Sequence, residues 1–277
     1  KSYNYLIYFN ILNYVIFLKV KMKVIILAGG MGTRLGSLGE LIPKPMIEIG
    51  GKPILWHIMK IFSHYGYNDF ILCLGYKVNV IKDYFYHYYT YNSDFTINLA
   101  SDEIIFHNSN DDNFNVTLVD TGLKNLKGSR LKQVERYLED NLNFITYGDG
   151  VADINISSLV EFHKSHNKLL TITGVKPPSM FGEMIEKDGL VLSFEEKPQT
   201  SKGLINGGFM VFHRDLMNYL SEDPQCDFEF GPLEDLAKKE EIMTYKHKGF
   251  WECADTVRDL EHLNKLWNEN KAFWKIW

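Results

Sequence analysis

Residues that could bind phosphate lie near the start of the chain, directly after a short apolar run. The run at residues 23–28 leads into Gly29-Gly30-Met31-Gly32-Thr33-Arg34. Glycines let main-chain amides approach phosphate oxygens closely, because no side chain stands in the way. Arg34 adds a fixed charge with a planar guanidinium, and Lys44 follows between Pro43 and Pro45, in a stiff extended segment. This pattern predicts a site for a polyphosphate.

The glycine loop does not match two common nucleotide-binding motifs. It has no Gly-Lys-Ser/Thr ending, which argues against a P-loop NTPase. No third glycine follows Gly30 and Gly32 at the spacing of a dinucleotide fingerprint. A glycine pair after a strand is often only a tight turn, but the nearby Thr33, Arg34 and Lys44 favour phosphate binding.

The surrounding pattern alternates between strands and helices. An apolar strand at residues 23–28, a helix over 54–62 that stops before Gly66, and a strand at 70–74 form a βαβ unit. Further strands are predicted at residues 144–147, 169–175, 191–194 and 205–213, and further helices at 156–166, 214–220, 232–239 and 257–268. We therefore expect one α/β domain with a Rossmann-like mixed, mostly parallel sheet flanked by helices.

Composition excludes several classes of protein. The chain of 277 residues is 45% hydrophobic and 23% charged, which is typical of a folded globular protein. Its net charge of −5 does not suggest a nucleic-acid partner. The three cysteines are widely spaced and form no Cys-x-x-Cys pair, which argues against a disulfide framework or a zinc site. This cysteine usage fits a reducing compartment, and we expect a cytoplasmic protein.

The first 21 residues do not continue this pattern. Their apolar part is interrupted by Asn10 and Asn13 and is short for a membrane span of about 20 residues. Met22 follows, and the α/β pattern begins there. Three interpretations remain: an upstream extension or mis-assigned start, a weakly membrane-associated helix, or an ordered part of the fold. We favour the first, with residues 22–277 as the domain and no stable membrane contact.

Several motifs in the chain resemble one enzyme family. The glycine loop followed by Pro43-Lys44-Pro45-Met46 is similar to the signature of sugar-nucleotide pyrophosphorylases. More specific segments resemble the glucose-1-phosphate cytidylyltransferase branch: Glu48–Met59, Asn115–Gly122, Tyr147–Asp153, Ile205–Phe209, Gly249–Trp251 and Asp255–Asp259. The resemblance runs in order from Met22 to the C-terminus.

The resemblance implies the substrates, the cofactor and the residues of a site. The substrates would be CTP and glucose 1-phosphate, with Mg²⁺ as the cofactor, and relatives suggest a homo-oligomer. Arg34, Lys44 and Asp149 would be catalytic, and Asp149 and Asp255 would hold the metal. Glu196, Lys197 and Asn206 would contact the sugar phosphate. The nucleotide would be bound by Leu27, Ala28, Gly29, Gly30, Met31, Gly32, Thr33, Arg34, Lys44, Arg130 and Gly148.

The implied chemistry suits these residue types. A phosphate monoester has a second pKa of about 6, so the sugar phosphate is already an anionic nucleophile at neutral pH. The protein has to bring two polyanions together and neutralise their charge, which requires cations and not a general base. Mg²⁺ commonly uses one or two carboxylates together with phosphate oxygens. Asp149, directly after a predicted strand, lies where open α/β sheets bind ligands.

Departures from the family pattern and rival functions remain open. Residues 123–127 and 252–254 differ from the family's usual form, so we assign no contact to Asn125 and expect Cys253 to be packed and not nucleophilic. A preference for UTP or dTTP is the first alternative. A non-catalytic nucleotide-sugar sensor is the second. The single Asp120-Thr121-Gly122 excludes an aspartic protease, which needs two such aspartates.

Overall fold

A computed structural model gives the fold of residues 22–32, 35–107, 112–176, 183–187, 190–195 and 203–277. The predictions made for residues 1–21 and for Thr33, Arg34, Glu196 and Lys197 lie outside these described residues.

Strands alternate with helices along the described chain. The strands are β1 (Val24–Ala28), β2 (Glu48–Ile49), β3 (Lys52–Pro53), β4 (Asp69–Leu74), β5 (Phe95–Asn98), β6 (Glu103–Phe106), β7 (Asn115–Asp120), β8 (Leu142–Tyr147), β9 (Gly150–Ala152), β10 (Leu170–Val175), β11 (Glu183–Lys187), β12 (Leu190–Glu195), β13 (Ile205–His213), β14 (Ile242–Lys246) and β15 (Trp251–Cys253). The α-helices are α1 (Ser37–Leu41), α2 (Ile54–His64), α3 (Val78–Tyr86), α4 (Tyr88–Asn92), α5 (Lys127–Val134), α6 (Ile156–Lys164), α7 (Glu234–Lys238) and α8 (Val257–Asn268).

A seven-stranded sheet with the order β14-β10-β13-β8-β1-β4-β7 forms the centre of the fold. Strand β1 is parallel to β4 and β8, β4 is parallel to β7, and β10 is parallel to β14. Within this sheet only β13 runs antiparallel to its neighbours, β8 and β10. The predicted mixed, mostly parallel sheet is therefore confirmed.

The connection of the strands fixes where a ligand can bind. After β1 the chain builds β4 and β7 on one side and then returns to add β8 on the other side of β1. Where the strand order reverses in this way, a crevice opens beyond the carboxyl ends of the two strands. The glycine loop follows β1 and Gly148-Asp149 follows β8, so both lie at this crevice.

The core covers both faces of the sheet. All of β1 is buried: Val24 and Ile26 pack in one hydrophobic cluster, whereas Ile25 and Leu27 pack in the other. Successive side chains of a strand point to opposite faces. A strand covered on both faces must therefore be apolar throughout, which explains the continuous run in the sequence.

Two predicted helices differ from the structure. Residues Arg214–Tyr219 form a 3-10 helix, and the helix predicted over 232–239 is reduced to α7. The preceding segment, Glu229–Leu233, is kinked at Phe230 and Gly231, and Gly231 has a φ of 100°. This φ suits only glycine and proline lacks an amide hydrogen, so Gly231-Pro232 delays the start of the regular helix. Within the described residues, no helix is both long and apolar enough to cross a membrane.

Candidate active site

Lys44 lies between two carboxylates at the crevice. Its Nζ is 2.6 Å from Asp149 Oδ2 and also donates a hydrogen bond to Asp255 Oδ1. The Lys44 side chain is 13% exposed, whereas Asp149 and Asp255 are 32% and 33% exposed. The cluster therefore holds one positive and two negative charges, with its carboxylates open to solvent.

Three separate parts of the chain bring these side chains together. Lys44 begins a short 3-10 turn, Lys44–Met46, whose second residue is Pro45. Asp149 follows β8 and precedes β9, and β9 pairs with β15 immediately before Asp255. Ala254 N donates to Asp149 O over 2.9 Å, which ties the two aspartate segments together at the main chain. The sheet pairing thus places Asp255 beside Asp149.

Electrostatics keep Lys44 charged. Burial works to lower the pKa of Lys44, but Asp149 and Asp255 outweigh it, so the pKa is raised above its usual value.

The same surroundings keep Cys253 neutral. Its Sγ is 3.4 Å from Asp255 Oδ2. Burial, followed by the charge of Asp255, raises the pKa of the Cys253 thiol, so no thiolate nucleophile forms there.

The glycine loop rests on a buried arginine. Arg130 is 5% exposed, and its Nη1 donates to Leu74 O and Thr121 Oγ1, both at 2.8 Å. Its Nη2 donates to Gly29 O over 3.3 Å. A Cβ atom on Gly29 would overlap the guanidinium, so only glycine allows this close approach. Arg130 is therefore not a surface residue, and its hydrogen bonds join the carboxyl ends of β1 and β4.

Gly148 holds the other wall of the crevice. Its amide donates to Leu27 O over 3.1 Å, and a Cβ atom at this position would lie 3.1 Å from the same oxygen and 3.2 Å from Pro45 Cγ. A larger residue would push the Lys44 segment away from β1.

The residues at the end of β1 and in the glycine loop differ in exposure. Leu27 and Ala28 are buried in β1, so any contact they make with a ligand uses the main chain. Gly30 and Met31 are exposed.

Asn206 has polar partners that the sequence did not identify. Its Nδ2 donates to Tyr147 OH over 3.0 Å, and Tyr147 OH donates to Glu229 Oε1 over 2.7 Å. Trp251 Nε1 donates to Gly207 O over 2.8 Å. Tyr147 directly precedes Gly148, which is a signal the sequence offered, but nothing in the sequence pointed to Glu229.

The residues available for a metal ion are few. Within the described residues, no three His, Cys, Asp or Glu side chains converge as a ligand set. Asp149 and Asp255 form a pair of carboxylates with a cation, the Lys44 ammonium, already between them. Mg²⁺ takes oxygen ligands and often binds through one or two carboxylates plus substrate phosphates and water. The pair therefore fits Mg²⁺ that is completed by a substrate, and it does not fit a closed structural site.

Comparison with known proteins identifies the family. A model of the nucleotidyl transferase family matches residues 23–269. The glucose-1-phosphate cytidylyltransferases of Salmonella typhimurium and Salmonella typhi are each 47% identical to this chain, over 92% of its length and 100% of theirs. Among solved structures, HddC from Yersinia pseudotuberculosis complexed with GMP-PN matches with a TM-score of 0.62 and 25% identity, over 89% of this chain and 99% of that one.

These matches cover nearly all of the described fold, and they confirm the resemblance found in the motifs. The chain belongs to the nucleotidyl transferase family, within its glucose-1-phosphate cytidylyltransferase branch.

Proposed function

We propose that this protein transfers the cytidylyl group of CTP to α-D-glucose 1-phosphate, which yields CDP-glucose and pyrophosphate. The observation that carries the proposal is the cluster of Lys44, Asp149 and Asp255 at the reversal point of the sheet. A cation and two open carboxylates at a glycine loop suit the joining of two phosphates. The choice of cytosine and glucose is supported by the two full-length relatives at 47% identity.

In this proposal the phosphate of glucose 1-phosphate attacks the α-phosphorus of CTP, and pyrophosphate leaves. A new P–O bond forms as the bond between the α-phosphorus and its bridging oxygen breaks, and the pyrophosphate oxygen takes the electron pair. The nucleophile is already ionised at neutral pH, so the protein needs no general base. Its task is to align the two phosphates and to stabilise the charge that develops between them.

Each part of the crevice then has a role. Lys44 binds the triphosphate, and the loop of residues 27–34, including Thr33 and Arg34, surrounds the base, ribose and phosphates. Arg130 keeps the carbonyl of Gly29 fixed, so its effect on the nucleotide passes through the loop above it. Asn206 contacts the sugar phosphate together with Glu196 and Lys197. Gly148 leaves room for the nucleotide beside β1.

Mg²⁺ belongs to the same proposal. Asp149 and Asp255 would hold it, and when bound it would offset the negative charge of the triphosphate. The Lys44 ammonium now lies against both carboxylates, so it is close enough to help gather the anionic substrate at the same point. Assembly as a homo-oligomer and a cytoplasmic location remain predictions, and light scattering would test the first.

The decisive experiment measures pyrophosphate release from glucose 1-phosphate and Mg²⁺ with CTP, UTP, dTTP and ATP in parallel. We expect a strong preference for CTP, with CDP-glucose identified by mass spectrometry. Preference for UTP or dTTP would keep the mechanism and refute the assignment of the base. No release from folded protein with any of the four would refute the enzyme and favour a nucleotide-sugar sensor.

A further inference from the structure

The side-chain amide of Asn206 is held at both of its polar atoms. Asn206 Oδ1 accepts a hydrogen bond from Gly208 N over 3.0 Å, which closes a turn at the start of β13. Asn206 Nδ2 donates to Tyr147 OH, also over 3.0 Å. An amide held in this way has one N–H and one oxygen lone pair left for a ligand.

The tyrosine hydroxyl belongs to a longer chain of polar groups. Tyr147 OH donates to Glu229 Oε1 over 2.7 Å, and Lys127 Nζ donates to the same oxygen. A carboxylate can only accept hydrogen bonds, so the Tyr147 proton must point to Glu229. Its lone pair is then left for Asn206.

This order of donors and acceptors fixes the orientation of the Asn206 amide. If the amide were turned over, its oxygen would face the lone pair of Tyr147 OH and its NH₂ group would face Gly208 N–H. Both contacts would be repulsive, because the first would place two acceptors together and the second two donors. The Gly208 amide and the lone pair of Tyr147 OH, whose proton points to Glu229, therefore together determine which end of Asn206 is presented to a ligand.

The hydrogen-bonded residues lie on separate elements that meet at the crevice. Tyr147 ends β8 directly before Gly148-Asp149, Lys127 begins α5, and Glu229 begins the kinked segment before α7. Asp227 Oδ1 accepts from the main-chain amide of Glu229 over 2.8 Å, which holds the glutamate in place. The arrangement is therefore built from fixed elements and connects directly to the Asp149 side of the site.

We propose that Tyr147 is a positioning residue that, with Glu229 and Lys127, orients Asn206 for the sugar phosphate. The inference deepens the proposed function and rests on it, because it assumes that Asn206 contacts glucose 1-phosphate. It assigns a role in sugar-phosphate binding to a tyrosine and a glutamate to which the sequence analysis gave no role. The nucleotide side of the site, at Lys44 and the glycine loop, does not belong to this chain of hydrogen bonds.

The first test replaces Tyr147 with phenylalanine, which removes only the hydroxyl. We expect the KM for glucose 1-phosphate to rise about tenfold, because a partly buried amide loses one of the two partners that fix its orientation. The KM for CTP should change less than twofold. Tyr137→Phe is the matched control. Tyr137 and Tyr147 pack against the same hydrophobic cluster, but Tyr137 is not part of the hydrogen-bond network of Asn206, Tyr147 and Glu229.

The second test separates the charge of Glu229 from its shape. Glu229→Gln offers Tyr147 either an oxygen or an NH₂ group, so the order of donors is no longer enforced; Glu229→Ala removes the acceptor altogether. We expect the KM for glucose 1-phosphate to rise moderately in Glu229→Gln. In Glu229→Ala it should rise about as much as in Tyr147→Phe. The double variant Tyr147→Phe/Glu229→Ala should be no worse than either single variant, because both break one chain.

Two outcomes would overturn the inference while leaving the proposed function intact: an active wild-type enzyme whose Tyr147→Phe variant keeps its KM for glucose 1-phosphate, or one whose KM for CTP rises equally. Should Tyr147→Phe fail to fold, Lys127→Met replaces it, because Lys127 is 41% exposed and its loss is tolerated more easily. We expect a rise of about threefold in the same KM, and no change would refute the inference. An inactive wild type would instead refute the proposed function itself.

Discussion

Two lysine–aspartate clusters in this molecule have opposite balances of donors and acceptors. In the Lys44 cluster (Lys44, Asp149 and Asp255), one ammonium serves two carboxylates that are each about a third exposed. In the Asp112 cluster, one carboxylate that is 3% exposed receives Lys60 Nζ at 2.8 Å, Trp56 Nε1 at 2.7 Å and Tyr88 OH at 2.6 Å.

The difference separates the proposed binding site from a structural cluster. Asp112 accepts from three donors and its side chain is only 3% exposed, so a ligand has little access to it and the cluster stabilises the packing of α2 against α4. Burial works to raise the pKa of Asp112, but the hydrogen bonds from Lys60, Tyr88 and Trp56 outweigh it and lower the pKa. The Lys44 cluster keeps an excess of negative charge on two carboxylates that are each about a third exposed, which suits a metal ion.

The largest expected effects come from the Lys44 cluster. Lys44→Ala and Asp149→Asn should each reduce turnover at least a hundredfold, the scale of losing one electrostatic stabiliser of a transition state. Pyrophosphate release at saturating substrates measures this, with circular dichroism to confirm the fold. Asp235→Asn, at an exposed position of α7, is the control. Full activity in either variant would refute the assigned role.

The Asp112 cluster should respond in stability and not in turnover. Asp112→Ala leaves Lys60 without its buried partner and should lower the free energy of unfolding by about 3 kcal/mol. Urea denaturation measures the loss, with Asp235→Ala as a control of negligible effect. The kcat of the folded variant should stay within twofold of the wild type. A hundredfold loss of kcat would mean that the two clusters are not distinct in function.

Acid should destabilise the protein through a buried histidine that lies outside both clusters. His57 is fully buried, its Nε2 donates to Ile49 O over 2.8 Å, and burial lowers its pKa to about 4. The folded state therefore prefers neutral His57. This contribution is complete above the unfolded pKa of 6.5 and is lost as the pH falls towards 4.

Between pH 7 and 4.5 we expect His57 to account for a loss of about 2 kcal/mol in the free energy of unfolding. Urea denaturation across this range measures the slope, which should be smaller in His57→Gln. An unchanged slope in that variant would assign the acid sensitivity to other groups; His163 is the first candidate, because burial also lowers its pKa to about 4.

The smallest expected effect is that of Tyr88→Phe. It removes one of three donors to Asp112 and should lower the free energy of unfolding by about 1 kcal/mol, the usual contribution of one hydrogen bond. The comparison would weaken if Tyr88→Phe cost as much as Asp112→Ala, since the tyrosine and not the carboxylate would then dominate the cluster. Thermal denaturation of both variants side by side gives the ratio.

Sequence patterns predicted the elements that are buried on both faces or carry a clear helical stripe. Strands β1, β4, β8, β10 and β13 and helices α2, α6 and α8 lie within two residues or so of their predicted bounds. The pattern did not predict β14 or the hairpin of β5 and β6. Residues of these strands are largely exposed, so their burial imposes no continuous apolar run on the sequence.

The residues of the site also divide into those that local sequence patterns indicated and those that only the fold brings together. The glycine loop and the proline-flanked Lys44 are local patterns, so the sequence by itself indicated phosphate binding, and the order of the motifs indicated the family. The ion pair of Lys44 with Asp255 joins residues 211 positions apart, and the contact of Arg130 with Gly29 joins residues 101 apart. Spacing along the chain carries no information about such distances.

Tertiary structure alone decided what each polar group has left to offer a ligand. A lysine that pairs with an aspartate looks the same in the sequence at Lys44 and at Lys60. The carboxylates around Lys44 are each about a third exposed, whereas Asp112 beside Lys60 is 3% exposed and also accepts from Trp56 and Tyr88. The sequence determined the fold and the family through local apolar patterns and motifs. Folding then determined the chemistry, because burial and hydrogen-bond partners are set by neighbours from distant parts of the chain.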